Sequence, residues 1–240
     1  LSSTIKRSLT ENIFSSFFVC GDATRNLESM CKCAPDNISI DENIDIKTAK
    51  AICDGYNVTV GGNIQLTVTM LHGSQQANMK AVLDILDACG THNLIVSPGC
   101  DMPYATPSEN VIAASFAIHN PEQARKMIEG YDSSLDLADV TVKFPDYTQL
   151  KRPFIEIFTL DSASCAAGGY MVGMVESVRE ELGDVFDFIE YKFTKRENIK
   201  RCIEMKVKNL PSLYLNGELI YSSLIPNKTE LIEVIKEASC

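Results

Sequence analysis

Apolar residues recur along this chain in two alternating rhythms. Short runs at Phe17-Phe18-Val19-Cys20, Asn37-Ile38-Ser39-Ile40-Asp41, Val58-Thr59-Val60-Gly61-Gly62-Asn63 and Leu94-Ile95-Val96-Ser97-Pro98 have the length and β-branched or aromatic content of buried strands. Between them lie stretches of helical spacing at 25 to 33, at 45 to 53 and from the capping Ser74 to Cys89, and beyond them helices at 107 to 118 and 121 to 129. Parallel strands need a crossover between them, so strands alternating with helices predict βαβ units and a parallel sheet. The chain opens at Leu1, and residues 4 to 14 read as the end of an amphipathic helix already under way. That predicts a start in the middle of a domain.

The fourth strand leads through Pro98-Gly99 and a thiol, Cys100, into a helix. Thr106 and Glu109 have the spacing of a capping box around Pro107, a residue favoured at the first helical position. Residues 133 to 153 are polar and acidic at first and read as a linker, with one strand-like run at Asp139-Val140-Thr141-Val142-Lys143-Phe144. From Phe154 the rhythm restarts: strand 154 to 160, Cys165 before a helix to about 182, strand 186 to 193 and helix 195 to 208. A hairpin over 210 to 221 turning on Asn216-Gly217 and a helix from Thr229 complete a βαβαββα order. The sequence thus divides into a first domain over 1–132, a linker over 133–153 and a second domain over 154–240.

Composition narrows the function. A net charge of −10 and a pI near 4.8 argue against nucleic acid and anionic membrane surfaces, which are held by clustered Lys and Arg. No apolar run approaches the roughly 18 residues of a membrane span, and the opening residues lack the order of a signal peptide. A cytoplasmic protein is expected. The nine cysteines are odd in number and scattered through strand and helix patterns, which favours reduced thiols over a disulfide framework. Cys31-Lys32-Cys33 falls at a helix end, away from the strand ends, and reads as packing. His72, His92 and His119 belong to no pair or triad.

Ser97-Pro98-Gly99-Cys100-Asp101 followed by Thr106-Pro107-x-Glu109-Asn110 resembles the last strand and loop of the uroporphyrinogen decarboxylase superfamily, in its corrinoid-linked methyltransferase branch. The resemblance implies an α/β fold in which residues 1–132 are strands five to eight of a TIM (β/α)8 barrel. The first half of the barrel would then come from a missing segment or another chain. In that branch the cysteine matching Cys100 binds zinc together with His-x-Cys-Gly on the fifth strand. Here the latter reads Phe18-Val19-Cys20-Gly21, so the histidine is gone. Asp22, of the same strand parity as Cys20, and Asp41, ending the next strand, are the carboxylates placed to substitute. Asp41 and Asn63 match the family's strand-six acid and strand-seven Gly-Asn and are expected to line the pocket as catalytic groups. Gly61 and Gly62 would bring backbone close to a cofactor or anion; a tight barrel turn is the other reading.

What the resemblance implies is a methyltransferase whose zinc, held by Cys20, Cys100 and Asp22, activates a thiol to accept methyl from a methylcobamide, with a corrinoid or corrinoid protein as partner. Residues 154 to 238 resemble a thioredoxin-like domain, with Cys165 before the first helix and Pro211 opening the third strand, where that family has a cis peptide. Cys165-Ala166-Ala167-Gly168 lacks the second cysteine of a dithiol, leaving a monothiol site or a structural appendage. Two alternatives stand beside the methyltransferase. One is a noncatalytic corrinoid- or protein-binding, redox-regulatory module. The other is a uroporphyrinogen decarboxylase, ranked last because the residues for that reaction lie near the barrel's start.

Overall fold

A computed structural model describes residues 14–131 and 137–238 and divides into two compact units, Leu1–Leu135 and Asp136–Cys240. The helix expected over 4 to 14 lies outside the described residues, Phe14 excepted.

The first unit runs β1 (Ser16–Val19), α1 (Leu27–Lys32), β2 (Asn37–Ile40), α2 (Ile46–Asp54), β3 (Thr59–Ile64), α3 (Gln75–Cys89), β4 (Leu94–Pro98), α4 (Ser108–His119) and α5 (Pro121–Met127). Its sheet has the order β1-β2-β3-β4, and every neighbouring pair is parallel, as the alternating rhythm predicts. Ile38, Ile40 and Val60 pack from the sheet against Leu27, Cys31, Ala49 and Cys53 from α1 and α2. The inner strands are buried, whereas Phe18 and Val19 of β1 and Ile95 of β4 stay 47%, 36% and 42% exposed.

Helix starts follow the capping residues. The Asp45 carboxylate accepts from the Thr48 amide at 2.8 Å, and Ser74 Oγ accepts from the Ala77 amide at 3.1 Å, satisfying amides that have no partner within the helix. The capping box at Thr106 and Glu109 does not form. Pro107 has an extended ψ of 129° and is itself the N-cap, and no side chain caps the helix. Starting one residue late puts Thr106 outside the helix, where its hydroxyl is buried without a hydrogen bond. Between β3 and α3 the chain makes a π-helical turn, Leu66–Leu71, which Leu-Thr-Val-Thr does not announce because its alternation is that of a strand.

The second unit contains β5 (Phe154–Thr159), α6 (Ala166–Leu182), β6 (Asp187–Lys192), α7 (Arg196–Glu204), β7 (Ser212–Leu215), β8 (Glu218–Ser222) and α8 (Lys228–Glu237). The sheet order is β6-β5-β7-β8, with β5 and β6 parallel and the other pairs antiparallel. Ile155, Ile157, Met171, Val175, Phe186, Leu213 and Ile235 form its core. Asn216 and Gly217 both have positive φ, 51° and 83°, as a two-residue hairpin of right-handed twist requires. The Leu210–Pro211 peptide is cis. α7 ends at Glu204, short of the expected 208, because Lys206 turns the chain with φ 57°.

Residues 139 to 144, read as strand-like, form no strand. A side chain takes the place of a ladder there: Arg201 Nη2 donates to the Lys143 carbonyl at 2.6 Å, and its guanidinium lies 4.7 Å from the Phe144 ring centre. Arg196 pairs with Asp139 at 2.9 Å, so the described part of the expected linker is fastened to the second unit. Among the described residues no helix is long and apolar enough to cross a membrane.

Candidate functional site

Cys20 directly follows β1, and Cys100 lies two residues beyond β4. These are the outer strands of a four-stranded sheet; at about 4.8 Å per neighbour a flat sheet would separate them by about 14 Å. Their sulfurs are 3.2 Å apart. The separation is far beyond the roughly 2.05 Å of a disulfide, and no disulfide joins the described cysteines.

The approach depends on the loops. Leaving β4, the Gly99 amide donates to the Ile64 carbonyl at 3.0 Å. A Cβ at Gly99 would lie 2.6 Å from the Glu42 amide nitrogen and 3.0 Å from its Cα, so only glycine lets this loop lie directly on the turn after β2. On the other side, the Gly21 amide donates to Asp41 Oδ2 at 2.9 Å. The second carboxylate oxygen of Asp41 accepts from the Asn43 amide at 2.9 Å and from its side chain at 2.6 Å.

Asn63, at the end of β3, donates its Nδ2 to the carbonyls of Asp41 and Ile44 at 3.0 and 2.6 Å. Asp41 and Asn63 are therefore at the strand ends, where the sequence puts them, with their polar atoms engaged in holding this turn. Glu42, which nothing in the sequence singles out, accepts from the Leu66 amide at 2.6 Å and ties the turn to the π-helical segment.

Asp22 is not brought to the thiols. Its Oδ1 accepts from the Thr24 amide and hydroxyl at 3.1 and 2.5 Å, opening the short helical turn Thr24–Asn26. Among the described residues of the first unit, no third His, Cys, Asp or Glu places a ligand atom within 4.8 Å of both sulfurs. Gly61 and Gly62 lie inside β3, where their neighbours on β2 account for them. A Cβ at 61 would fall 2.8 Å from Ser39 Oγ, and one at 62, where φ is 142°, 2.9 Å from Ile40 Cγ1.

The remaining thiols of the first unit have structural surroundings. Cys31 and Cys53 meet at 3.8 Å between α1 and α2, and burial pushes both thiols up, Cys53 to about 12. Cys33 is exposed and donates to the Ser29 carbonyl. The histidines join no metal-ligand cluster among the described residues.

In the second unit, Cys165 is the N-cap residue of α6, and its amide donates to the Asp161 carbonyl at 2.7 Å. Its loop is fixed from β6. Glu190 accepts from the Thr159 hydroxyl and from the Ser162 amide and hydroxyl at 2.5, 3.1 and 2.8 Å. Lys192 pairs with Asp161 at 2.6 Å.

A parallel α/β sheet with two thiols converging beyond its strands' carboxyl ends has the layout of an α/β enzyme, in which ligands bind at those ends. The family model described as uroporphyrinogen decarboxylase (URO-D) matches residues 2–121, half of the chain, which belongs to this family. Similar curated proteins are two methylcobamide:CoM methyltransferases MtbA, from Methanosarcina acetivorans and Methanosarcina mazei. Each is 32% identical over 93 residues, or 39% of this chain and 26% of the relative. The matched region thus spans about a quarter of these relatives. Among solved structures, a methyltransferase from Methanosarcina mazei aligns with a TM-score of 0.43 and 24% identity, over 54% of this chain and 36% of its own.

Proposed function

We propose that the first unit is the half of a TIM barrel that carries strands five to eight of a corrinoid methyltransferase, and that Cys20 and Cys100 hold a zinc ion. The observation that carries this reading is the 3.2 Å approach of two sulfurs from the outer strands. Support also comes from the names of the curated relatives, which act on methylcobamide. The donor chemistry fits: with Zn–S bonds of about 2.3 Å, two sulfurs on tetrahedral zinc lie about 3.8 Å apart, so the pair has only to open by about 0.6 Å. Zinc bound there would supply a coordinated, deprotonated thiol as the acceptor of methyl from methylcobamide.

A catalytic zinc takes three protein ligands, and Phe18 stands where the methyltransferases have histidine. The third ligand must come from outside the described residues of the first unit. The first half of the barrel, supplied by further polypeptide, would pair with the exposed β1 and β4 edges. We read the second unit, whose strand order β6-β5-β7-β8 supports this, as a thioredoxin-like appendage with a single cysteine, Cys165, before its first helix.

The absent histidine favours one other reading, a noncatalytic corrinoid- or protein-binding module. Metal analysis decides between them. Full chain purified without chelator should carry near-stoichiometric zinc, and the Cys20→Ser/Cys100→Ser double variant should lose it. Zinc missing from the unaltered protein overturns the methyltransferase reading in favour of the binding module.

A further inference from the structure

We infer that the turn Asp41–Ile44 after β2 is the template that sets the distance between the two thiols, and that Asp41 and Asn63 are positioning residues instead of acid–base groups. This rests on the reading that Cys20 and Cys100 are the working centre.

Both thiol-bearing loops rest on adjacent residues of this turn. The loop of Cys20 is attached through the next residue, whose amide donates to Asp41 Oδ2 at 2.9 Å. The loop of Cys100 is attached through the preceding residue, Gly99, whose Cα carries no side chain to fend off Glu42. One carboxylate and one missing methyl group thus place sulfurs that are 80 positions apart in sequence.

The turn itself is held from three directions. The Ile44 amide donates to the Asp41 carbonyl at 3.1 Å, Asn63 clamps both ends of the turn, at the carbonyls of 41 and 44, and Glu42 Oε2 accepts from Leu66. Asp41 is 6% exposed and its two oxygens accept three hydrogen bonds. A carboxylate with both oxygens so engaged is fixed in place, which suits a template. The strand pair β2–β3 beneath it, buried on both sides of the turn's base, gives it a rigid seat.

The inference is tested on metal-free full chain, so that its failure is distinguishable from failure of the zinc reading. With chelator present, the protein is equilibrated in glutathione buffers of graded ratio. Glutathione disulfide takes two electrons from Cys20 and Cys100, forming their S–S bond and releasing two molecules of glutathione. The cross-linked Cys20/Cys100 peptide is then quantified by mass spectrometry, and protection of the buried Cys53 from alkylation serves as a readout of folding.

In Asp41→Asn one acceptor oxygen becomes a donor that faces either Gly21 or Asn43, and in Gly99→Ala a methyl group strikes Glu42. Each should lower the equilibrium constant for the disulfide at least tenfold with Cys53 still protected. Asp22→Asn, in the same loop as Cys20 but turned to Thr24, should leave it unchanged. An unchanged constant in Asp41→Asn or Gly99→Ala, or an equal fall in Asp22→Asn, overturns the inference. So does loss of Cys53 protection in both variants, which would assign the turn to folding in general and not to the thiols.

Discussion

Cys202 shows how a single buried atom becomes a pH dependence. Burial pushes its thiol up to about 12 against the opposing pull of Arg201, and burial with the Cys31 thiol beside it does the same for Cys53. An unfolded thiol ionises near about 8.5. Below that pH both states hold the proton and the thiols contribute nothing. Between about 8.5 and 12 the unfolded chain has lost a proton that the folded chain keeps, so stability falls as pH rises, by about 1.4 kcal/mol per unit for each thiol. Denaturant titrations should therefore decline above about pH 8.5, and Cys202→Ala should remove one thiol's share of that slope. An identical slope in the variant would mean that Cys202 is not buried as described.

At this scale the sequence was informative about residue type and poor about partners. Cys20 and Cys100 stand where strand ends and family motif place them. Asp41 and Asn63 are also where expected, but their hydrogen bonds to Gly21 and to the carbonyls of residues 41 and 44 depend on three strands side by side, which no local pattern carries. Asp22 was chosen on strand parity, yet β1 ends before it, at Val19. Parity therefore says nothing of where its carboxylate points.

Between elements, the second unit is joined by a buried polar cluster instead of an extra strand. Glu156 on β5 is fully buried. It accepts from the Tyr147 hydroxyl at 2.6 Å and faces Arg201 Nη1 of α7 at 3.6 Å. The guanidinium also lies 4.2 Å from the Tyr191 ring centre, and burial pushes the Glu156 carboxyl up despite these partners. Removing one member of a buried pair strands the other charge, so Arg201→Met should cost about 3–5 kcal/mol in denaturant unfolding. Replacing both, as Glu156→Met with Arg201→Met, should recover much of that loss. Equal losses in the single and double variants would contradict the pairing.

The same cluster explains a misleading pattern. Val140-Thr141-Val142 alternates like a strand, but the run forms none, and the carbonyl that follows it, at Lys143, is met by Arg201. Conversely, Ser74 and Asn216-Gly217 were readable because caps and tight turns are short-range chemistry. The start of α4 was misplaced by one residue because Pro107 suits the N-cap backbone as well as the first helical position.

For the molecule as a whole, the half-barrel proposal turns on the sheet of the first unit. Among the described residues, strands β1 and β4 each have a neighbour on one side only, and Phe18 and Ile95 are exposed on them. Native proteins pair, cover or blunt their strand edges. α4 adds to the unsatisfied surface, with Ile112 67% exposed and Val111 and Ile118 36% and 38% exposed. The parallel order was legible from the alternation of strands and helices; which strands lie at the edges was not, since an edge strand and an inner strand read alike when the sheet is buried on both faces.

If four preceding βα units complete the barrel, their first and fourth strands would take the free edges of β4 and β1. Hydrogen exchange measures this directly. In this chain alone, outward-directed amides of β1 and β4 should exchange fast while those of β2 and β3 are protected. Adding a polypeptide that carries the amino-terminal half of a methylcobamide:CoM methyltransferase relative should slow the outward set and leave β2 and β3 as they were. If the outward amides exchange equally fast in the mixture, with binding established by sedimentation, the partner does not extend the sheet and the half-barrel reading fails.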